Sequence, residues 1–229
     1  LKHMNTPQKS TSDHTSSIHT SAGSTQMTTA QSVILHVPEL AAAEAFYNAL
    51  GVGDRIQLRE SNEPTTGFRG YTLSLVVAQP NIVDAFVDAA LAAGATELKP
   101  VKKSLWGYGG VVQAPDGSIW KIATSSKKNN GPATRTIDSL VLLLGAEDVK
   151  ASKQYYLDHG LEVSKSFGRK YVEFTSAPGN VTLALYGRRA LAKDAGLSPE
   201  GTGSHRLTIT GASEPFADPD GFAWESTHP

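Results

Sequence analysis

The sequence predicts an α+β fold assembled from two related halves, and three observations carry that prediction. Pro115-Asp116-Gly117 lies between two short apolar runs, with Trp120 three residues after Gly117. Pro219-Asp220-Gly221 repeats the turn near the end of the chain, with Trp224 at the same distance. In such a turn Pro presets φ, Asp bonds its own backbone and Gly supplies positive φ, and a pattern that recurs at one spacing marks duplication. Each half also reads as a strand, a helix and then further strands. Finally, 229 residues of ordinary composition, 39% apolar and 19% charged, suffice for one large or two small domains.

The bulk numbers exclude several classes. No apolar run reaches about 18 residues, so no helix crosses a membrane and no membrane partner is expected. The net charge of −1 gives no sequence-independent grip on nucleic acid, which needs clustered Lys and Arg. Lys102-Lys103 and Lys127-Lys128 read as isolated, solvated pairs. There is no cysteine, hence no disulfide, thiolate nucleophile or thiolate metal site. Any metal would have to be held by His, Asp, Glu or Gln.

Residues 1–30 hold thirteen Ser or Thr and no apolar periodicity, the composition of a disordered tail. His3, His14 and His19 belong to it. The tail has no apolar secretory core, so a cytoplasmic location is expected. Residues 31–124 form the first domain. Ser32 to Val37 reads as a strand. Pro38 opens a helix whose face carries Leu40, Ala43, Tyr47 and Leu50, with Phe46 beside it, and Gly51 closes it. Arg55 to Arg59 is a short strand, Ser61 to Gly67 a polar loop, and Tyr71 to Ala78 the next strand. Asn81 to Ala93 is a second helix, with Ile82, Ala85, Phe86, Ala89 and Ala90 as its stripe. Thr96 to Val101, Gly109 to Gln113 and Ile119 to Ala123 are strands. Residues 125–136, with Asn129-Asn130-Gly131-Pro132, are the linker, and 137–229 form the second domain. There Ser139 to Leu144 is a strand and Asp148 to His159 a helix, with Tyr155-Tyr156 where the first half has Phe46-Tyr47. Strands follow at 161–164, 171–175, 182–186, 204–210 and 223–226. Arg189 to Ala195 could add one or two helical turns.

Several of these motifs together resemble the glyoxalase, bleomycin-resistance and extradiol-dioxygenase proteins, the vicinal oxygen chelate superfamily. They are Val37-Pro38-Glu39-Leu40 with Phe46-Tyr47, Trp106-Gly-Tyr-Gly-Gly, and Ala-Pro-Asp-Gly-Ser-Ile-Trp. Tyr171-Val-Glu-Phe, Thr182-Leu-Ala-Leu-Tyr and Phe216-Ala-Asp-Pro-Asp-Gly-Phe-Ala-Trp-Glu extend the likeness through the second half. The resemblance implies βαβββ modules, paired so that sheets curl around a cleft: four modules in two tandem domains. One departure is large. Thr72 to Pro115 holds a helix and a strand for which the interval from His205 to Pro219 has no room. Either the last module is truncated or a segment is missing between Thr210 and Phe216. A truncated module would expose an apolar sheet face and favour a homodimer.

The resemblance also implies metal ligands on the first and last strands of each module, where a metal chelates neighbouring substrate oxygens as a Lewis acid. Ser32, Thr72 and Lys121 fall at such positions in the first domain and are poor ligands for Zn, Ni, Fe or Mn. Val141 and Tyr186 are no better. His205 and Glu225 match ligand positions in the last module, but a stable catalytic site takes three protein ligands and no third is visible. No cofactor is therefore the expectation, with a divalent metal at His205 and Glu225 as the alternative. His36 lies on the same strand face as Ser32 and points toward the cleft, where it could orient a ligand. Lys121 could attract an anionic group. Trp106 and Tyr108, in a glycine-rich segment, offer aromatic faces to a flat ligand. Three readings follow. The first is a metal-free protein that holds a planar or amphipathic small molecule for sequestration or resistance. The second is a metal-dependent lyase, isomerase or dioxygenase that uses His205 and Glu225. The third is an interaction protein with a vestigial pocket.

Overall fold

The structure is a computed structural model that describes residues 27–227; most of the Ser/Thr-rich tail lies outside these. Its elements run β1 (Ser32–Val37), α1 (Leu40–Leu50), β2 (Ile56–Glu60), β3 (Thr65–Gly67), β4 (Tyr71–Val76), α2 (Pro80–Ala92), β5 (Thr96–Ser104), β6 (Gly107–Gln113), β7 (Ile119–Thr124), β8 (Ser139–Ala146), α3 (Val149–Asp158), β9 (Val163–Phe167), β10 (Tyr171–Phe174), β11 (Val181–Gly187), α4 (Arg188–Ala195), β12 (Gly201–Gly203), β13 (Leu207–Ala212), β14 (Phe216–Ala217) and β15 (Ala223–Ser226).

Eight strands form one sheet in the order β5-β6-β7-β4-β8-β11-β10-β9. It consists of two complete βαβββ modules. Within each, the last strand lies parallel to the first, as β7 to β4 and β11 to β8, and the first strands β4 and β8 join the modules antiparallel. The second sheet has five strands, β14-β15-β13-β1-β2, with β1 and β13 joined antiparallel in the same way. Its modules are both short. Between β13 and β15 there is no helix, as the chain length there requires. The first module also keeps only β1, α1 and β2, because β3 leaves the sheet and pairs with β12. That close approach depends on glycine: a Cβ at Gly201 would lie 2.2 Å from the Phe68 carbonyl oxygen. Ser32, which the resemblance groups with Thr72 at the ligand positions of the first domain, pairs with Thr210 of the second half. Each sheet thus draws strands from both halves of the sequence.

Period-two alternation sends Val33, Leu35 and Ile209 from one sheet and Leu73, Leu75 and Leu142 from the other into one continuous core, together with the apolar faces of α1, α2 and α3. Trp120 and Trp224 are fully buried in it. The duplication extends to atoms. Tyr47 on α1 donates to the Asp116 carboxylate at 2.8 Å, and Tyr156 on α3 donates to Asp218 at 2.8 Å. Each buried tyrosine ties its helix to the turn that precedes the core tryptophan. Burial pushes both phenols up, and the neighbouring carboxylate adds to the shift.

Two expectations change. The truncated module leaves no bare apolar face, because Trp224 is covered by Phe216, stacked at 5.2 Å, and by Tyr156 of α3 at 5.9 Å. Thr28, Thr29 and Ala30, read as the end of the tail, are buried. Their backbone bonds Thr28 N–H to the Gly160 carbonyl and Val181 N–H to that of Ala30.

Candidate functional site

The faces turned away from the core are where the implied cleft would lie. On the five-strand sheet that face carries Ser32, His36, Gln57, Arg59, Thr208, Thr210 and Glu225, and these side chains satisfy one another. Ser32 Oγ lies 2.8 Å from Thr210 Oγ1 and accepts from Gln57 Nε2 at 2.8 Å. His36 Nε2 lies 3.0 Å from Thr208 Oγ1. Arg59 grips Glu225 through both guanidinium nitrogens, at 2.7 and 2.8 Å. That bond holds the Glu225 carboxyl below its ordinary range. Burial, reinforced by the nearby Arg59 charge, lowers the His36 pKa.

His205 stands apart, in the loop before β13. Its Nδ1 lies 2.6 Å from the Arg69 carbonyl oxygen and its Nε2 3.0 Å from that of Asp220. The ring stacks on Phe222 at 4.0 Å. Both nitrogens are thereby committed to backbone, so the ring serves as a clasp between two loops. His205 and Glu225 share no partner: Glu225 is paired with the Arg59 guanidinium, which would repel a second cation. Among the described residues no three His, Cys, Asp or Glu side chains come together. The donor set does not fit the chelated metal that the fold suggests, and no chemistry is derived through one.

The eight-strand sheet differs in a way that periodicity alone does not reveal. The middle of its outer face is covered by a helix. α4 lies across it, with Gly187 before it and the left-handed Gly196 after it. Leu191 and Ala192 pack with Phe68, Leu143 and Tyr186, and Ala195 packs with Val111 and Ile119. The helix is pinned at its C-terminal end, where Lys99 Nζ donates to the Lys193 carbonyl at 3.0 Å, a favourable place for a cation. Lys121 pairs with Asp194 at 2.6 Å. Lys121 therefore lies on the sheet face that α4 covers and is paired with that helix.

A groove of about 430 Å³ lies open beyond the end of α4, with Lys99, Lys102, Trp106, Gly109, Lys121 and Asp194 on its walls; smaller clefts of about 330 and 360 Å³ lie beside Arg69 on the other side of α4 and against His205. Trp106 is 85% exposed. The Tyr108 ring goes the other way. Along β6, Val111 shares the groove face with Gly109, so Tyr108 and Val112 point to the helix side. There Tyr108 donates to Asp84 of α2 at 2.7 Å, which holds its phenol above the ordinary range. Gly109 is required by the sheet itself, since a Cβ would lie 2.7 Å from the Ile122 carbonyl oxygen. The structure thus brings Trp106 and Lys121 to one groove, places His36 and Glu225 on the other sheet, and engages Tyr108 with Asp84 and His205 with backbone carbonyls. Arg59, Lys102 and Asp194 were missed. Arg59 is two residues from Gln57, and that spacing could have placed it beside Glu225.

No protein-family model matches the sequence, and no curated protein matches it. Solved structures do. Glyoxalase I from Zea mays superposes with a TM-score of 0.54 at 12% identity, covering 85% of this chain and 90% of its own. A point variant of that enzyme gives 0.55 at 13% identity, covering 86% and 90%. A candidate dioxygenase from Bacillus subtilis subsp. subtilis str. 168 gives 0.54 at 11% identity, covering 89% and 86%. The chain therefore has the glyoxalase-like fold, in which βαβββ modules pair through their first strands.

Proposed function

We propose that this chain is a small-molecule-binding protein that holds a planar, anionic ligand in the groove between Trp106 and the end of α4, by a mechanism that needs no metal. The carrying observation is the composition of that groove: an uncovered indole above three lysines and a single aspartate. Trp106 supplies a stacking face. Lys102, whose ammonium group has no partner among the described residues, supplies charge at the mouth. Lys121 can exchange its exposed bond with Asp194 for one to a ligand carboxylate at small cost, because exposed ion pairs are worth about 0–1 kcal/mol. Glyoxalase I among the structural neighbours supports the fold beneath this reading and does not supply its ligand.

The test uses 4-nitrobenzoate, a flat carboxylate that quenches tryptophan fluorescence. Trp120 and Trp224 are buried, so Trp106 is the accessible reporter. Saturable quenching is expected, absent in Trp106→Leu and weakened roughly tenfold in Lys102→Gln/Lys121→Gln, the loss of one charge-assisted contact. Equal affinity for the uncharged 4-nitrobenzamide would overturn the anionic assignment. Linear, unsaturable quenching would overturn the site.

A further inference from the structure

The two lysine pairs that are isolated in the sequence meet in the fold. Antiparallel pairing puts Lys103 opposite Tyr108, and Tyr108 opposite Thr124. The β5–β6 tip and the turn after β7 therefore share one end of the eight-strand sheet. Lys102 and Lys103 lie on β5 at that end, and Lys127 and Lys128 follow in the turn after β7. No hydrogen bond or ion pair holds any of these four ammonium groups among the described residues. The β5–β6 turn itself is Leu105, 77% exposed, and Trp106, 85% exposed. The two acidic residues of these three strands and their turns, Glu97 and Asp116, lie toward the opposite end, and Asp84 is engaged by Tyr108. Charge is segregated accordingly. Residues 98–135 hold seven Lys or Arg and one acid, a net of +6, against a net of −7 for the remainder.

We propose that this tip docks on the surface of an anionic lipid bilayer. The chemistry is that of interfacial anchors: an indole at headgroup depth, a leucine just beyond it, and lysines around them drawn to the negative surface. A single-stranded nucleic acid would use Trp106 and the lysines but would leave Leu105 without a role. The tip shares Trp106 and Lys102 with the groove, but Lys103, Leu105, Lys127 and Lys128 do not line it, so variants at those four separate the two proposals.

Cosedimentation with phosphatidylcholine vesicles, with and without phosphatidylserine, tests the proposal. Binding is expected only with phosphatidylserine, with a blue shift of Trp106 fluorescence, and it should weaken steeply as NaCl shortens the screening length. Each lysine contributes roughly fivefold near such a surface, so Lys103→Gln/Lys127→Gln/Lys128→Gln should bind on the order of a hundredfold more weakly. Leu105→Ser should also reduce binding, while both variants keep their response to 4-nitrobenzoate. Equal binding to both vesicle types, or an unchanged triple variant, would overturn the proposal. So would binding to a single-stranded oligonucleotide in preference to phosphatidylserine vesicles.

Discussion

Removing one oxygen from α3 should cost a large share of the stability of this molecule. Tyr156 is fully buried and Asp218 is 6% exposed. Asp218 Oδ1 accepts the backbone N–H groups of Asp220 at 3.0 Å and Phe222 at 2.8 Å. Oδ2 depends on the Tyr156 hydroxyl, which also accepts the Trp224 indole N–H at 3.3 Å. Tyr156→Phe therefore orphans a carboxylate oxygen, at about 1.5–3 kcal/mol, and an indole donor, at about 1 kcal/mol. The sum of about 2.5–4 kcal/mol should lower Tm by roughly 5–15 °C in a chain of this size. Urea unfolding followed by circular dichroism measures the loss. The control is Tyr155→Phe on the same helix. Its hydroxyl meets the Ala217 carbonyl in an exposed bond, and its loss should cost less than about 1 kcal/mol. The pH dependence has a definite sign. Burial raises the Asp218 pKa while the Tyr156 bond lowers it, so that bond stabilises the ionised carboxylate. The difference between wild type and Tyr156→Phe is full at neutral pH and shrinks as Asp218 protonates on acidification. Equal losses in the two tyrosine variants would refute the assignment of this bond as the anchor of the second half.

Three further outcomes are expected. Leu191 is 2% exposed, so Leu191→Ala should cost about 2–4 kcal/mol by urea unfolding, whereas a solvent-exposed α4 would lose almost nothing. His36 has a folded-state pKa below its ordinary value of 6.5; its contribution is therefore complete above that pH and is lost as pH falls through the lower folded value. The stability-versus-pH curve of His36→Gln should be flatter on the acid side, with an unchanged slope counting against the burial assigned to His36. Gly201→Ala should cost about 1–3 kcal/mol through the close approach of β12 to Phe68, and wild-type stability in that variant would contradict the ribbon.

Local order was legible where a physical rule acts over a few residues. The alternation of Ser32 to Val37 gave the first strand at its observed bounds, and Gly51 ended the first helix. The equivalence of Phe46-Tyr47 with Tyr155-Tyr156 proved to be an equivalence of hydrogen bonds to Asp116 and Asp218. The missing helix of the last module followed from counting residues. Long-range choices were not legible. Nothing local in Ser32 selects Thr210 over Thr72 as its counterpart, since both are hydroxyl residues on similar strands. The stripe of Leu191, Ala192 and Ala195 signals a helix with an apolar side but not the surface it covers. The orientation of Tyr108 could have been read by counting in twos from Val112. The union of the lysine pairs required the hairpin register.

The central proposal is that a planar anionic ligand binds in the groove between Trp106 and the end of α4, and not on the five-strand sheet, whose outer polar side chains bond one another. An amide-correlation NMR titration with 4-nitrobenzoate tests it, because three tryptophans give three separate indole N–H resonances. The prediction is a progressive, saturating shift of the Trp106 resonance and of the Gly109 and Lys121 amides, with Trp120 and Trp224 stationary. A shift centred instead on His36, Thr208 and Glu225 would place the ligand on the five-strand sheet and contradict the account.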